Sequence, residues 1–192
     1  MKINNIKSKK KNSTKIISGY LKGQIINIVQ SNKLKPTLHR IRETLFNWVS
    51  NKVHNAKCLD CFAGSGSISI EAISRYAKYV VSLEKNYYII RHLKKNITRL
   101  NIKNIHIIHT NTLMWLKKNQ YQYDIIFIDP PYHANILQKT IYLINKNNLL
   151  KKNGYIYIET YKKNNIQYPP NWTLYKNKNT KNINFSIYLI NK

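Results

Sequence analysis

From residue 57 onward, short apolar segments alternate with amphipathic segments along most of the chain. The apolar segments predict five strands, at residues 58–62, 79–84, 105–109, 124–129 and 155–160. Between them, apolar residues recur every three or four positions and predict four helices, at residues 67–76, 86–100, 112–118 and 134–145. This order of strands and helices predicts an α/β fold with a doubly wound, mostly parallel sheet.

Both ends of the chain depart from this alternation. Near the C-terminus, apolar segments at 172–175 and 185–190 follow each other without a helix between them. They predict an antiparallel hairpin at one edge of the sheet. Near the N-terminus, apolar residues at 16–17 and 25–29 flank two glycines and predict a second, shorter hairpin.

A helix is expected after the N-terminal hairpin. Pro36 and Thr37 offer a start, with Thr37 as the N-cap, and Ile41 and Leu45 then recur at helical spacing. Residues 1–13 are basic and of low complexity, so we expect a disordered tail there. The chain is therefore expected to divide into that tail, an N-terminal extension over residues 14–52 and one main domain over residues 53–192.

The composition is biased but still that of a folded protein. The 192 residues include 28 Lys, 27 Asn and 30 Ile, whose codons are AT-rich, and the formal net charge is +26. Such a charge attracts phosphate backbones and repels acidic partners. Hydrophobic residues make up 43% of the chain, which supplies a core and argues against a disordered protein.

The two cysteines, Cys58 and Cys61, are too few for a disulfide-stapled secreted fold. They lie along one predicted strand, so buried free thiols are a better interpretation than a metal or redox site, and no metal is expected. No segment of 18 apolar residues is present, and the N-terminus lacks the apolar region of a secretory signal. We therefore expect a soluble cytoplasmic protein.

Acidic residues are rare, and several fall where a ligand would bind. The seven acids are Glu43, Asp60, Glu71, Glu84, Asp124, Asp129 and Glu159. Glu84, Asp129 and Glu159 end predicted strands, and Asp60 lies near the end of the first. In an open α/β sheet, ligands bind outside the carboxyl ends of the strands, so these acids mark a candidate site.

The first motif is Asp60-Cys-Phe-Ala-Gly-Ser-Gly66, between the first predicted strand and helix. Glycines at this position let the backbone approach a ligand, and the helix that follows offers free N–H groups. The dinucleotide fingerprint requires a further glycine where Ser69 stands, which disfavours a NAD enzyme. An acid here suits a ligand that carries an amino group.

Two positions further along suit other parts of such a ligand. Glu84, at the end of the second predicted strand, can accept hydrogen bonds from two ribose hydroxyls. Asn111 and Thr112 follow the third predicted strand, where an adenine edge would lie. An ordinary helix cap explains Asn111 and Thr112 equally well.

The second motif is Asp129-Pro130-Pro131-Tyr132, after the fourth predicted strand. The prolines fix the backbone direction and leave the Pro130 carbonyl without a helical partner. A carboxylate, a carbonyl and an aromatic ring together can receive a planar base that carries an exocyclic amine. The two oxygens accept its N–H groups, which localises the nitrogen lone pair and stabilises the developing positive charge.

These two motifs together resemble the S-adenosylmethionine-dependent amino methyltransferases, which have a Rossmann-like fold. More narrowly, the chain is similar to the bacterial small-subunit (16S) ribosomal RNA guanine-N2 methyltransferases of the RsmD type. The stretches that carry this resemblance are residues 35–48, 58–66 and 71–76, together with Asp129 to Tyr132.

The resemblance implies roles for individual residues. The cofactor S-adenosylmethionine would be bound by Asp60, Phe62, Gly64, Gly66, Glu84, Asn111, Thr112 and Asp129. The guanine amine would be held by the catalytic segment Asp129, Pro130, Pro131 and Tyr132. The hairpin and the helix after it would contact RNA through Lys22, Lys35, Arg40 and Arg42. The implied partner is 16S ribosomal RNA in the assembled small subunit, and the enzyme is expected to be a monomer.

The chain departs from the family pattern in its N-terminal extension. Ser18 replaces the first residue of a usual Gly-Gly, Lys22 and Gln24 replace arginines, and His39 stands where an acid is usual. Because Arg and Lys bind phosphates differently, these changes bear on RNA affinity more than on catalysis.

Other functions share some of these features. DNA adenine-N6 methyltransferases carry the same Asp-Pro-Pro-Tyr but generally add a large target-recognition region, for which this chain has little room. Protein glutamine methyltransferases prefer Asn at position 129, where this chain has Asp129. A non-catalytic basic RNA-binding assembly protein would account for the charge but would need no cofactor pocket.

Overall fold

In the computed structural model, which describes residues 13–28, 39–131 and 134–190, one seven-stranded sheet organises the chain. Its strands are β3 (Lys57–Asp60), β4 (Tyr79–Glu84), β5 (Ile105–His109), β6 (Tyr123–Ile128), β7 (Leu150–Tyr161), β8 (Trp172–Asn179) and β9 (Ile183–Ile190). Their order across the sheet is β5-β4-β3-β6-β7-β9-β8. The pairs from β5 through β7 are parallel, and β9 pairs antiparallel with both β7 and β8. The predicted fold class, including the antiparallel edge hairpin, is confirmed.

Each parallel strand sends alternate side chains to opposite faces of the sheet, which bury two separate cores. On one face, Cys58 and Phe127 pack against the N-terminal elements. On the other face, Leu59, Cys61 and Ile128 pack beneath the later helices. Both cysteines are buried free thiols, as the sequence predicted.

The helices that connect the parallel strands cover both faces. They are α3 (Ser67–Ser74), α4 (Tyr87–Arg99), α5 (Thr112–Lys118) and α6 (Ala134–Lys146). Two of them begin at asparagine caps: Asn86 accepts from the N–H groups of Tyr88 and Ile89, and Asn111 caps α5 in the same way. The helix predicted over residues 67–76 was too long, because the chain turns left-handed at Tyr76 (φ +66°) just after α3.

The N-terminal extension packs on the outside of this core. Its hairpin pairs β1 (Ser13–Lys15) with β2 (Ile25–Asn27) in antiparallel register. The helices α1 (His39–Trp48) and α2 (Ser50–Val53) follow, the second of which was not predicted. Ser13, the last residue of the predicted tail, lies in β1. The rest of that predicted tail and the predicted helix start at Pro36 and Thr37 lie outside the described residues.

Within the described ranges, no helix is long and apolar enough to cross a bilayer.

Candidate active site

Three carboxylates lie at the carboxyl edge of three adjacent strands. Asp60 is the last residue of β3, Glu84 is the last residue of β4, and Asp129 directly follows β6. In the sheet β3 lies between β4 and β6, and the connections leave it in opposite directions, which is the switch point where α/β sheets bind ligands. The structure thus brings the residues of both sequence motifs to one place.

The loop after β3 is closed by its own backbone and by α3. The N–H of Gly66 donates to the Ala63 carbonyl at 2.8 Å, and the N–H of Phe62 donates to Asp60 at 3.3 Å. Gly64 and Gly66 have backbone φ values of +52° and +80°, which residues other than glycine rarely adopt. Gly66 is the N-cap of α3. The free N–H groups at the start of that helix therefore face the loop.

Glu84 joins the loops that follow β3 and β4. Its Oε2 accepts from the Gly64 N–H at 3.1 Å, and its Oε1 accepts from the Asn86 N–H at 2.8 Å. The residue is half-buried, and each carboxylate oxygen has a second lone pair. Glu84 can therefore hold the glycine loop and also accept two hydroxyl donors.

Asp60 lies deeper than Glu84. It is 2% exposed, and its Oδ2 accepts from the Ser69 hydroxyl at 2.6 Å. Burial raises the pKa of Asp60 to about 7, against the hydrogen bonds from Ser69 and Phe62, and the charges of Asp129 and Glu84 raise it further. This mutual repulsion follows from the position of the three carboxylates at one edge of the sheet. A cationic ligand group there would favour the ionised form of Asp60.

Ser69 gives the missing glycine of the dinucleotide fingerprint a structural explanation. Its hydroxyl lies 2.6 Å from Asp60 and 2.8 Å from the Ser82 hydroxyl on β4, and both serines are fully buried. A glycine at position 69 would leave the buried Asp60 carboxylate without this donor. Sequence reasoning treated Ser69 only as a departure from a motif and missed this contact.

Asn111 and Thr112 behave first as helix residues. Asn111 is exposed and uses its Oδ1 to cap α5. Thr112 is buried, and its hydroxyl donates to the Cys61 carbonyl at 2.6 Å. The cap interpretation is thus confirmed, and the expected contact of either residue with adenine stays a prediction.

The second motif is described as far as Pro131. Asp129, Pro130 and Pro131 are each half-buried at the mouth of the site. Tyr132 lies outside the described residues, so its predicted stacking role stays a prediction.

Glu159 was predicted to end a strand, but it lies two residues inside β7, which continues to Tyr161, and it has a partner on its own strand. The Tyr157 hydroxyl donates to its Oε2 at 3.2 Å, and both residues are buried. Burial, then the charges of Glu159 and Asp129, raise the pKa of the Tyr157 phenol. Glu159 therefore supports β7 beside Asp129.

Comparison with known proteins places this site in a family. The family model described as conserved hypothetical protein 95 matches residues 14–189. A Buchnera aphidicola (subsp. Acyrthosiphon pisum) protein named ribosomal RNA small subunit methyltransferase D is 52% identical over 188 residues, 97% of this chain and 98% of that protein. Its namesake from Escherichia coli (strain K12) is 35% identical and covers 91% of this chain and 88% of its own.

The chain belongs to the family of the ribosomal RNA small subunit methyltransferase D proteins.

A solved structure agrees with the assignment. The structure described as a putative methyltransferase from Escherichia coli matches with a TM-score of 0.88 at 33% identity, over 93% of this chain and 98% of that one. The predicted family, fold and enzyme class, a methyltransferase, are confirmed.

In this family member, a buried carboxylate holds the N-terminal hairpin to the catalytic domain. Glu71, on α3, accepts from the backbone N–H groups of Ile17 at 2.8 Å and Ser18 at 3.0 Å. It also pairs with Arg75 at 2.9 Å and with Arg42 at 3.7 Å. Glu71 and Arg42 are both fully buried. One carboxylate thus ties the hairpin, α1 and α3 together.

The prediction that Arg42 contacts RNA is therefore wrong. Its side chain is 0% exposed, and it donates to the Thr14 hydroxyl and to the Lys15 carbonyl. Burial lowers the pKa of this guanidinium, and the charge of Glu71 opposes that shift. Arg42 stands three residues before Leu45 and four before Phe46, which are both buried. This spacing places Arg42 on the buried face of α1, and it was the sequence signal that Arg42 does not face solvent.

Further contacts fix the hairpin along α3 and α4. The N–H of Tyr20 donates to the Ser74 carbonyl at 2.9 Å, and the Ser74 hydroxyl donates to the Ser18 carbonyl. On α4, Asn96 makes two hydrogen bonds to the backbone of Asn27, at 3.1 and 2.9 Å. The described hairpin is therefore docked on the domain.

The other predicted RNA contacts differ in placement. Lys22, in the hairpin turn, and Arg40, on α1, are exposed. Lys35 lies outside the described residues.

Proposed function

We propose that this chain transfers a methyl group from S-adenosylmethionine to the exocyclic N2 amine of a guanine in small-subunit ribosomal RNA. The observation that carries the proposal is the convergence of Asp60, Glu84 and Asp129 at one sheet edge in a chain of this family. The names of its relatives support the RNA substrate. As a bacterial-type enzyme of this kind, it would act in the cytoplasm and as a monomer.

The residues at this edge fit a cationic nucleoside cofactor. Glu84 would accept hydrogen bonds from the ribose hydroxyls through its remaining lone pairs. Asp60 would face the amino-acid end of the cofactor, and the loop at residues 64–66 would close over that end. Phe62 and Asn111 would flank the cofactor. The hydrogen bond from the Thr112 hydroxyl to the Cys61 carbonyl would hold the start of α5, and with it Asn111, in place. Bound there, S-adenosylmethionine supplies an activated methyl group.

Asp129 and the Pro130 carbonyl would hold the target amine. A guanine amine is a poor nucleophile because its lone pair is delocalised into the ring. Two acceptors that take its N–H groups would localise that pair on nitrogen and stabilise the positive charge that grows as the new N–C bond forms. The methyl–sulfur bond of the cofactor would break in the same displacement, and the methylated amine would then lose one N–H proton to solvent. Tyr132 would stack on the base and keep it in line, with Pro131 fixing the direction of the segment.

The substrate is proposed to be a partly or fully assembled small subunit. The exposed Lys22 and Arg40, together with Lys35, offer charge for phosphates. Such contacts position RNA without reading its sequence. Base-edge recognition usually needs a dedicated platform of aromatic and amide side chains, and no motif for such a platform is apparent in the sequence of the extension. Specificity would then come from the shape of folded RNA and its bound proteins.

The test is methyl transfer from radiolabelled cofactor to small subunits that lack the modification, compared with protein-free 16S RNA at matched concentration, followed by mapping of the labelled base. We expect faster transfer to subunits, with label on the N2 of one guanine. Equal rates on both substrates would overturn the particle preference. Label on adenine, or on no RNA at all, would overturn the function itself.

Calorimetry provides an independent check on the non-catalytic alternative. An assembly protein without a cofactor pocket would show no heat of binding with S-adenosylmethionine. The proposed enzyme binds it in the absence of RNA.

A further inference from the structure

An open cavity of about 420 Å³ lies at the end of the sheet opposite the catalytic edge. Four lysines line it: Lys57 begins β3, Lys78 directly precedes β4, Lys151 lies near the start of β7, and Lys52 lies on α2. All three strands start at this edge. The methyl-transfer site lies at their other ends.

The cavity carries a net positive charge. Its one acid, Asp124, is bound to Lys151, with Nζ 2.9 Å from Oδ1. Within the described part of the chain, no carboxylate lies within 4.0 Å of the ammonium groups of Lys52, Lys57 or Lys78. Three of the four lysines that line the cavity therefore have no carboxylate partner among the described residues.

The composition bias alone does not account for this clustering. Lysines are four of the nine residues that line the cavity, against 28 of 192 in the whole chain. Ala56 is the single apolar residue among the nine, so an apolar ligand has little to contact.

Two of the ammonium groups are positioned by aromatic rings. Lys52 Nζ lies 5.9 Å from the centre of the Tyr155 ring, and Lys57 Nζ lies 5.8 Å from the centre of the Tyr79 ring. A ring face attracts the cation but accepts no strong hydrogen bond, so the N–H donors remain available.

The backbone beneath these lysines is also fixed. The N–H of Lys57 donates to Asp124 at 2.8 Å, and the N–H of Lys78 donates to the Ala56 carbonyl at 2.8 Å. The cations thus stand on strand starts and not on a free loop. This lowers the entropic cost of binding an anion.

We infer that this cavity, which we call the basal lysine pocket (Lys52, Lys57, Lys78 and Lys151), binds a backbone phosphate of the substrate RNA. The inference rests on the proposed function. Lysine is suited to phosphate as a point charge with several donors. The six-residue strands β4 and β6 that run between the two edges are about 20 Å long, so the pocket would hold the RNA or particle well away from the target base.

The test removes three charges without shortening the side chains much. The variant combines Lys52→Gln, Lys57→Gln and Lys78→Gln. Its apparent affinity for small subunits, taken from the KM for methyl transfer, is measured at several salt concentrations. We expect a KM at least tenfold above that of the control, an unchanged kcat, and a salt dependence smaller by about one phosphate contact.

A control variant with the same net charge separates the loss of these three lysines from the general loss of positive charge. It changes three exposed lysines on α5 and α6, at the other face of the sheet: Lys118→Gln, Lys139→Gln and Lys146→Gln. Calorimetry with S-adenosylmethionine and thermal unfolding establish that both triple variants are folded. Equal KM values for the two triple variants would overturn the inference.

Single charge reversals keep the test open should the triple variant fold poorly. Lys78→Glu, at an exposed position, should raise KM well beyond Lys139→Glu. Equal effects would again count against the pocket.

Free pyrophosphate separates the two sources of phosphate. If it binds the parent protein and not the triple variant, while subunit KM is the same in both, the pocket serves a small phosphate ligand and the RNA assignment is wrong. Absence of methyl transfer by the parent protein itself would count against the proposed function instead.

Discussion

Replacing Gly19 by alanine should undock the N-terminal hairpin, whereas the same change at Gly23 should not. Both glycines have left-handed backbone, with φ of +86° and +84°. Alanine therefore carries a similar strain at each, about 1 kcal/mol. They differ in their surroundings: a Cβ at Gly19 would lie 1.7 Å from the Ser74 carbonyl oxygen, and nothing lies within 4 Å of one at Gly23.

The size of the Gly19 effect follows from the contacts that must move. Reaching ordinary contact distance requires a shift of roughly 1.5–2 Å, which exceeds the tolerance of a hydrogen bond. The bonds at risk join Ser74 to Ser18, Tyr20 and Leu21. At about 0.5–1.5 kcal/mol each, their loss amounts to roughly 1.5–4.5 kcal/mol of docking free energy.

Native-state hydrogen exchange measures this directly. In Gly19→Ala, the peptide covering residues 16–21 should exchange at least tenfold faster than in Gly23→Ala, since about 1.4 kcal/mol is a factor of ten. Peptides from the central strands should be unchanged. Equal exchange in the two variants would refute the account of how the hairpin is held.

Three further changes test the rest of the structure. Glu84→Ala should weaken S-adenosylmethionine binding by about 1–3 kcal/mol, because hydrogen bonds to a charged group are lost, and unchanged affinity in calorimetry would remove Glu84 from the site. Glu71→Gln should lower the free energy of unfolding by about 3–5 kcal/mol, because it leaves the Arg42 charge buried and uncompensated, and denaturant titration checks this. For Asp60, the folded-state pKa of about 7 lies above the ordinary value of 3.8, so its ionisation costs stability as pH rises between them. The stability of Asp60→Asn relative to the parent protein should accordingly increase from pH 4 to pH 7, and a flat difference would contradict the raised pKa.

Hydrophobic periodicity predicted the fold because the central parallel strands β3 and β6 are buried on both faces and the helices are amphipathic. The apolar runs at Tyr79–Glu84 and Ile105–His109 and the helix at Thr112–Lys118 have the predicted bounds. Errors arose where local backbone geometry ends an element. Asp60 ends β3 two residues early, because its carboxylate turns back to accept from the Phe62 N–H.

The candidate site was also accessible from sequence, because its residues lie at the ends of strands that are neighbours in such a sheet. Glu71 and Arg42 were not, since they are far apart in sequence and meet only through tertiary packing. The strong positive charge of the chain favoured the prediction that Lys22, Lys35, Arg40 and Arg42 all contact RNA. Arg42 lies on the apolar face of its helix, and Glu71 lies in a helix whose eight residues are all buried. Both positions indicate a buried side chain, which sequence reasoning missed.

The most direct test of the central claim is methyl transfer by Asp129→Ala to small subunits, measured beside calorimetry with S-adenosylmethionine. Glu43→Ala, which removes an exposed acid on α1, is the charge-matched control. We predict that Asp129→Ala loses most of its turnover while it binds the cofactor nearly as well as the parent protein, and that Glu43→Ala retains both. Turnover that survives in Asp129→Ala, or falls only in step with cofactor binding, would contradict the role of Asp129 in holding the guanine amine.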